Sequence, residues 1–301
     1  MNRLPNQYVL PVDKVIQGAV DWLVNDWRPL FQAVRWPISH VLASVSAGLH
    51  ALPFWLVIAF FLVVGCRTAG VRNGIFCGAS FGLIAVMGLW EEAMDSLSIL
   101  TTAVAFCVVV GVPTGIVAGR SNRFWSVLRP GLAVMQTTPS FVYLVPVVML
   151  FGIGTVPGVI ATIIFSMPPI IRLTNLGLRQ IPIEAIEAAE SFGATEWQAL
   201  INVRLPLALP SIMAGLNQTL LMAMVMSVII SMIGAEGLGL TVLRGIGALD
   251  VGLAGIGGLA IVLLAISLDR ITQGMGEKSR PTHTLARRAL HIGWMRKVDA
   301  R

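Results

Sequence analysis

The sequence predicts an all-α integral membrane protein with about seven transmembrane helices and an N-terminal interfacial amphipathic helix. Three observations carry that expectation. Of 301 residues, 56% are hydrophobic and only 12% charged, whereas a soluble chain keeps about a quarter of its residues charged. The mean hydropathy is +0.82. Apolar runs near the length of one crossing, about 20 residues, recur at 46–66, 74–90, 97–119, 131–151, 154–172, 208–233 and 251–268.

At the N-terminus, residues 12–34 have the pattern of an amphipathic helix. Asp13, Gln17, Asp21, Asn25, Arg28 and Gln32 share one side; Val12, Ile16, Ala19, Leu23, Trp27, Leu30 and Phe31 share the other. Trp22, Trp27 and Trp36 suit the headgroup layer, so this helix either lies on the bilayer or packs on its own protein. No short apolar core of a cleavable signal peptide is visible in the first fifty residues. Gly111, Pro113, Pro139, Pro146, Pro168 and Pro169 fall inside the spans, where neighbouring helices can satisfy the carbonyls they free. Cys66, Cys77 and Cys107 have no metal-ligand spacing and read as small core residues.

One polar stretch, 184–206, interrupts the apolar pattern between the fifth and sixth spans. Pro182 suits a first helical turn. Glu184, Glu187 and Glu190 recur every third residue on one helical face, near the end where acidic groups are favoured. Gly193 supplies a left-handed C′ position, and Thr195 with Gln198 fits a capping box that opens a second short helix. Leu205-Pro206 is expected to end that helix, because the residue before a proline avoids the α region. The expected result is a rigid helix–turn–helix knob at a membrane surface.

Glu187-Ala188-Ala189, then Gly193, then Val203 and Leu205-Pro206 resemble the EAA loop of binding-protein-dependent ABC importer permeases, with Val203 where that pattern favours Ile. The resemblance runs from about residue 96 to 271. It is strongest to permeases of glycine betaine, proline betaine and choline importers, through residues 136–154, 217–239 and 242–247. Apolar runs place two accessory helices in 46–95, charge places an extracytoplasmic region at 1–45 and a basic cytoplasmic tail at 272–301, and the resemblance implies a methionine-importer-like core at 96–271. It further implies that loop 184–206 docks on a separate cytoplasmic ATPase, which binds the ATP and Mg; this chain itself needs no cofactor. Implied partners are a second copy of the permease, two ATP-binding cassette subunits and an extracytoplasmic solute-binding protein. The resemblance leaves open a same-fold permease for another small solute, such as an amino acid. A secondary carrier or channel is the rival class.

Charge sets the expected orientation in a bacterial inner membrane. With the loop inside, sixteen of the 21 Lys and Arg fall on the cytoplasmic side, including Arg67, Arg72, Arg120, Arg123, Arg129, Arg172, Arg179 and Arg204. That places the N-terminus outside and the C-terminus inside. The basic residues therefore read as topology and contact with membrane lipid rather than as a nucleic-acid face.

What the sequence lacks narrows the chemistry. None of the three lysines sits in a Walker A motif, so ATP hydrolysis by that route has no phosphate cradle here, and no nucleophile elbow or metalloprotease pair is present. The central portions of the spans between 131 and 231 hold no charged residue or His, which argues against a proton-coupled carrier. Their uncharged polar residues, Gln136, Thr137, Thr138, Ser140, Tyr143, Asn217, Gln218 and Thr219, either line a translocation path or hydrogen-bond between helices. No aromatic cage for a quaternary ammonium is evident, which fits substrate selection by a separate binding protein.

Overall fold

The computed structural model describes residues 28–278, together with Gly18, Trp22 and Asp26, and contains no strand among them. The helices are α1 (Arg28–Ala51), α2 (Phe54–Ala69), α3 (Val71–Val86), α4 (Trp90–Arg120), α5 (Asn122–Thr137) and α6 (Ser140–Phe151). They continue as α7 (Thr155–Arg179), α8 (Ile183–Ser191), α9 (Glu196–Ala199), α10 (Leu205–Ile229), α11 (Leu238–Gly247) and α12 (Val251–Lys278). The expected amphipathic helix at 12–34 lies outside the described residues up to 27, apart from those three positions. Residues 28–34 open α1, which runs on to Ala51. The tail beyond 278 also lies outside them.

The span pattern differs from the seven expected. Among the described residues, four continuous helices are long and apolar enough to cross a membrane: Trp90–Arg120, Thr155–Arg179, Glu196–Ile233 and Val251–Glu277. The number rises to six if α1–α2 and α5–α6, each bent by 104°, count as one broken span apiece. Both bends fall at prolines that the apolar runs 46–66 and 131–151 pass straight through. Pro53 and Pro139 hold φ −56° and ψ 140°, and Thr138 is extended at ψ 128°, as the residue before a proline prefers. A hydropathy run is blind to such a break. The run 74–90 is also divided: α3 stops at Val86, Gly88 turns the chain at φ +74°, and Trp90 opens α4. The runs 154–172 and 251–268 continue as helix to Arg179 and Lys278.

The core is the packing of α4 and α10 on α7. Gly111, Gly115 and Gly119 stand every fourth residue on α4 and face α7. A Cβ on Gly115 would lie 2.6 Å from Thr174 Cβ and 2.9 Å from the Ile171 carbonyl oxygen; one on Gly111 would lie 2.5 Å from Ile170 Cγ2. On the other side of α7, a Cβ on Gly177 would meet Ser211 Cβ of α10 at 2.6 Å. Small residues let helix backbones approach where lipid supplies no hydrophobic drive for association. A second cluster joins α2, α3 and α12, including Val57, Phe61, Cys77, Phe81, Leu264 and Ile271.

These helices define two ends. At one, the Gly154 N–H donates to the Ile233 carbonyl (2.8 Å), the Leu238 N–H donates to Ser96 Oγ (2.8 Å), and His50 Nε2 lies 3.4 Å from both Glu91 and Asp95. At the other, Arg120 pairs with Glu196 and Gly274 of α12 presses on the backbone of Thr68. Arg67, Arg72, Arg120, Arg123, Arg129, Arg179 and Arg204 gather at this second end, with loop 184–206.

Candidate functional site

The 184–206 stretch begins where α7 ends. Pro182 occupies the N-cap of α8 with Glu184 in the first turn, the end of a helix at which an acidic residue is favoured. Glu187, Ala188 and Glu190 are exposed and Ala189 is half-buried. Ser191 Oγ donates back to the Glu187 carbonyl at 2.8 Å.

Gly193 ends α8 as its spacing predicts. Its φ is +81°. The Gly193 N–H donates to the Glu190 carbonyl (2.9 Å) and the Ala194 N–H to the Ala189 carbonyl (3.1 Å). Those two bonds are a complete Schellman motif with Gly193 at C′. The Thr195–Gln198 capping box is also present: the Thr195 N–H donates to Gln198 Oε1 at 2.9 Å, and the Gln198 N–H to Thr195 Oγ1 at 3.3 Å. The turn between the two caps is therefore fixed by two bonds between backbone groups and two from backbone N–H to side-chain oxygen.

The expected stop at Leu205-Pro206 does not occur. Leu205 is helical at φ −65° and ψ −46°. The chain passes from α9 through a π turn, Leu200–Arg204, straight into α10. The Leu205 N–H reaches back five residues to the Leu200 carbonyl, and Pro206 enters at the start of α10. The widened turn shifts the bonding register just before the proline, so the missing N–H falls where the ladder restarts. Val203 and Leu205 are half-buried and Pro206 exposed. The second arm of the knob is thus the first turns of a transmembrane helix, and its movement is movement of α10.

Two large aromatics stand out on the loop. Phe192 is 93% exposed and Trp197 63%. Arg120 at the end of α4 reaches Glu196 Oε2 at 2.8 Å, a solvent-facing pair that contributes little by itself.

A residue that the sequence reading treated only as an orientation charge ties the base of the loop together. Arg179, the last residue of α7, donates from Nε to Asn175 Oδ1 (2.7 Å), from Nη1 to Asn122 Oδ1 (2.6 Å) and from Nη2 to the Ala118 carbonyl (2.9 Å). It therefore joins α4, α5 and α7 where the loop departs. The Ala118 carbonyl is one of the last four of α4, which lack a partner within the helix. We expect Arg179→Met to destabilise the purified protein by about 2 kcal/mol, the range for hydrogen bonds to a charged group. The unfolding midpoint in detergent should fall by a few degrees; an unchanged midpoint would contradict the clamp.

The candidate path residues divide between two places. Gln136, Thr137, Thr138, Ser140 and Tyr143 gather at the α5–α6 elbow. Thr137 Oγ1 donates to the carbonyls of Ala133 and Val134, each at 3.2 Å, and Thr138 Oγ1 to that of Val134 at 2.8 Å. The Tyr143 hydroxyl donates to the Met135 carbonyl, and its ring meets Phe165 of α7 edge-on at 5.8 Å. These hydroxyls satisfy carbonyls at the end of α5 and brace the bend, while Gln136 and Thr137 stay exposed. Asn217 and Gln218 line a separate cavity of about 390 Å³, with Leu173, Pro210, Thr272 and Glu277 among its walls. Thr272 Oγ1 donates to Asn217 Oδ1 between α12 and α10, so Asn217 already serves as an interhelical bond.

Residues 111–278 match the family described as binding-protein-dependent transport system inner membrane component. Escherichia coli (strain K12) glycine betaine/proline betaine transport system permease protein ProW is 51% identical over 272 residues, covering 90% of this chain and 77% of that one. Listeria monocytogenes glycine betaine/carnitine transport permease protein GbuB is 40% identical, covering 92% of this chain and 99% of its own. Among solved structures, a chain of the inward-facing MetNI methionine ABC transporter (CY5 SeMet soak crystal form) matches at TM-score 0.54 and 22% identity. It covers 65% of this chain and 94% of that one, a likeness of fold.

Proposed function

The chain belongs to the family of binding-protein-dependent transport system inner membrane components, and from that premise we propose that it is the permease subunit of an ATP-driven importer for quaternary ammonium compatible solutes. Glycine betaine, proline betaine, choline and carnitine are the candidate solutes, since the relatives of highest identity quoted above are permeases for such compounds. The observation that carries the mechanism is the doubly capped loop, continuous with α10 at the arginine-rich end of the bundle.

In this reading two copies of the chain form the pathway, with the N-terminus outside and the C-terminus in the cytoplasm. Loop 184–206 of each copy seats on one of two ATP-binding cassette subunits, which hold the ATP and Mg. Phe192 and Trp197 supply apolar anchors for that contact, since exposed aromatics carry much of the binding energy at interfaces. Ala188 and Ala189 allow close approach and Glu187 offers a charge to the partner. Gly193 sets the angle between α8 and the α9–α10 arm. Closure of the two ATPases draws the paired loops together, and because the arm has no break before α10, the displacement reaches the membrane bundle. A loaded extracytoplasmic binding protein then delivers its solute to the outward-opened cavity.

Reconstitution tests this directly. Uptake of labelled glycine betaine into proteoliposomes should require the ATPase, ATP and the loaded binding protein together. Uptake by the permease alone would identify a secondary carrier or channel, and uptake of an amino acid in place of betaine would reassign the solute.

A further inference from the structure

Between α5 and α7, at the end of the bundle that carries the loop, lies a cavity of about 410 Å³ lined by Trp125, Arg129, Ala133, Arg172, Asn175 and Leu176. Among the described residues neither arginine is within ion-pair distance of a carboxylate. Arg172 Nε is shut off from solvent without a hydrogen-bond partner. Asn175 lends its Oδ1 to Arg179 Nε and makes no hydrogen bond to Arg172 Nε. A guanidinium stays charged; Arg129 is exposed and Arg172 partly buried, and an enclosed Arg172 Nε without an anion is costly, so the pair facing this space calls for an acidic ligand. Arginine pairs with phosphate through two parallel N–H donors. The remaining walls, Trp125, Ala133 and Leu176, are apolar. An inorganic anion would answer the arginines and leave those walls bare; an amphiphilic anion answers both.

We propose that this cavity holds the phosphate of an anionic phospholipid of the inner leaflet, with acyl chain lying along Trp125, Ala133 and Leu176. Basic pockets between helices on the cytoplasmic side suit such headgroups. The choice of leaflet rests on the orientation proposed above, in which this end faces the cytoplasm.

Native mass spectrometry of the full chain, titrated with dioleoylphosphatidylglycerol or dioleoylphosphatidylcholine, tests the site. The wild type should retain the anionic lipid about thirtyfold more tightly, the factor expected for two arginines close to anionic lipid. Arg129→Gln with Arg172→Gln should bring the ratio close to one. Arg123→Gln with Arg244→Gln, which removes the same charge from positions outside the cavity, should leave it intact, and Arg129→Lys with Arg172→Lys, a charged variant for use if the glutamine pair does not fold, should keep a preference for the anionic lipid. Equal loss in the pocket and outside pairs, no loss from the pocket pair, or displacement of the lipid by millimolar inorganic phosphate would each overturn the proposal, as would protection by glycine betaine in place of lipid. Orientation is read separately, by labelling Arg123→Cys from outside intact cells: labelling there would remove the inner-leaflet assignment even if the lipid preference stood.

Discussion

Gly193→Val is expected to abolish coupled uptake while leaving the protein inserted and folded. At φ +81° the position has nothing within 4 Å of where a Cβ would stand, so a side chain meets no neighbour and the whole effect is on the backbone. A left-handed conformation costs an ordinary residue about 1–2 kcal/mol, and a β-branched one more. The cheapest relief is to leave that conformation, which breaks both bonds of the Schellman turn and frees α8 from its angle to α9. Uptake should fall by more than tenfold, while detergent melting, set by the distant bundle, should hardly move. Gly193→Asn, which tolerates this region, should keep most of the activity. Wild-type uptake by the valine variant would show that the turn does not transmit force.

Gly115→Leu should act in the opposite way and prevent the fold itself. The new side chain would start 2.6 Å from Thr174 Cβ and 2.9 Å from a backbone oxygen, on a helix held from the other side by α10. Overpacking costs about 1–3 kcal/mol where neighbours can shift, and occasionally more; here one of the neighbours is main chain. We expect loss of the monodisperse peak in size-exclusion chromatography and low yield in the membrane. Gly82→Leu on α3, where a Cβ would meet nothing within 4 Å, should be tolerated. A folded, monodisperse Gly115→Leu protein would mean that α4 and α7 are not packed this closely.

What was legible in the sequence was local. Gly193 and the Thr195–Gln198 pair specify their conformations within a few residues, and each is realised; Pro182 stands at the N-cap with ψ 134°, just before the first helical turn expected for it. The break expected at Pro206 was misread because a proline rule considers one residue, whereas the π turn at Leu200–Arg204 shifts the register of five before it. The elbows at Pro53 and Pro139 were hidden for a different reason: hydropathy runs on through a proline, and composition on either side is the same. Arg179 could not have been singled out, since its partners Ala118 and Asn122 are about sixty residues away and meet it only in the bundle. The glycines of α4 are a case where the signal was present. Gly111, Gly115 and Gly119 carry the four-residue spacing of close helix contacts, and that spacing, with Gly177 and Gly215 on the facing helices, marks the three-helix core.

The side of the membrane on which the capped loop sits decides the account. Ser191 is exposed on the last turn of α8, and a cysteine there, in a chain whose Cys66, Cys77 and Cys107 are replaced by alanine, reports its location. A membrane-impermeant maleimide should leave Ser191→Cys unmodified in intact spheroplasts and label it once the membrane is opened. Labelling from outside, before opening, would contradict the claim that force enters this protein from the cytoplasm.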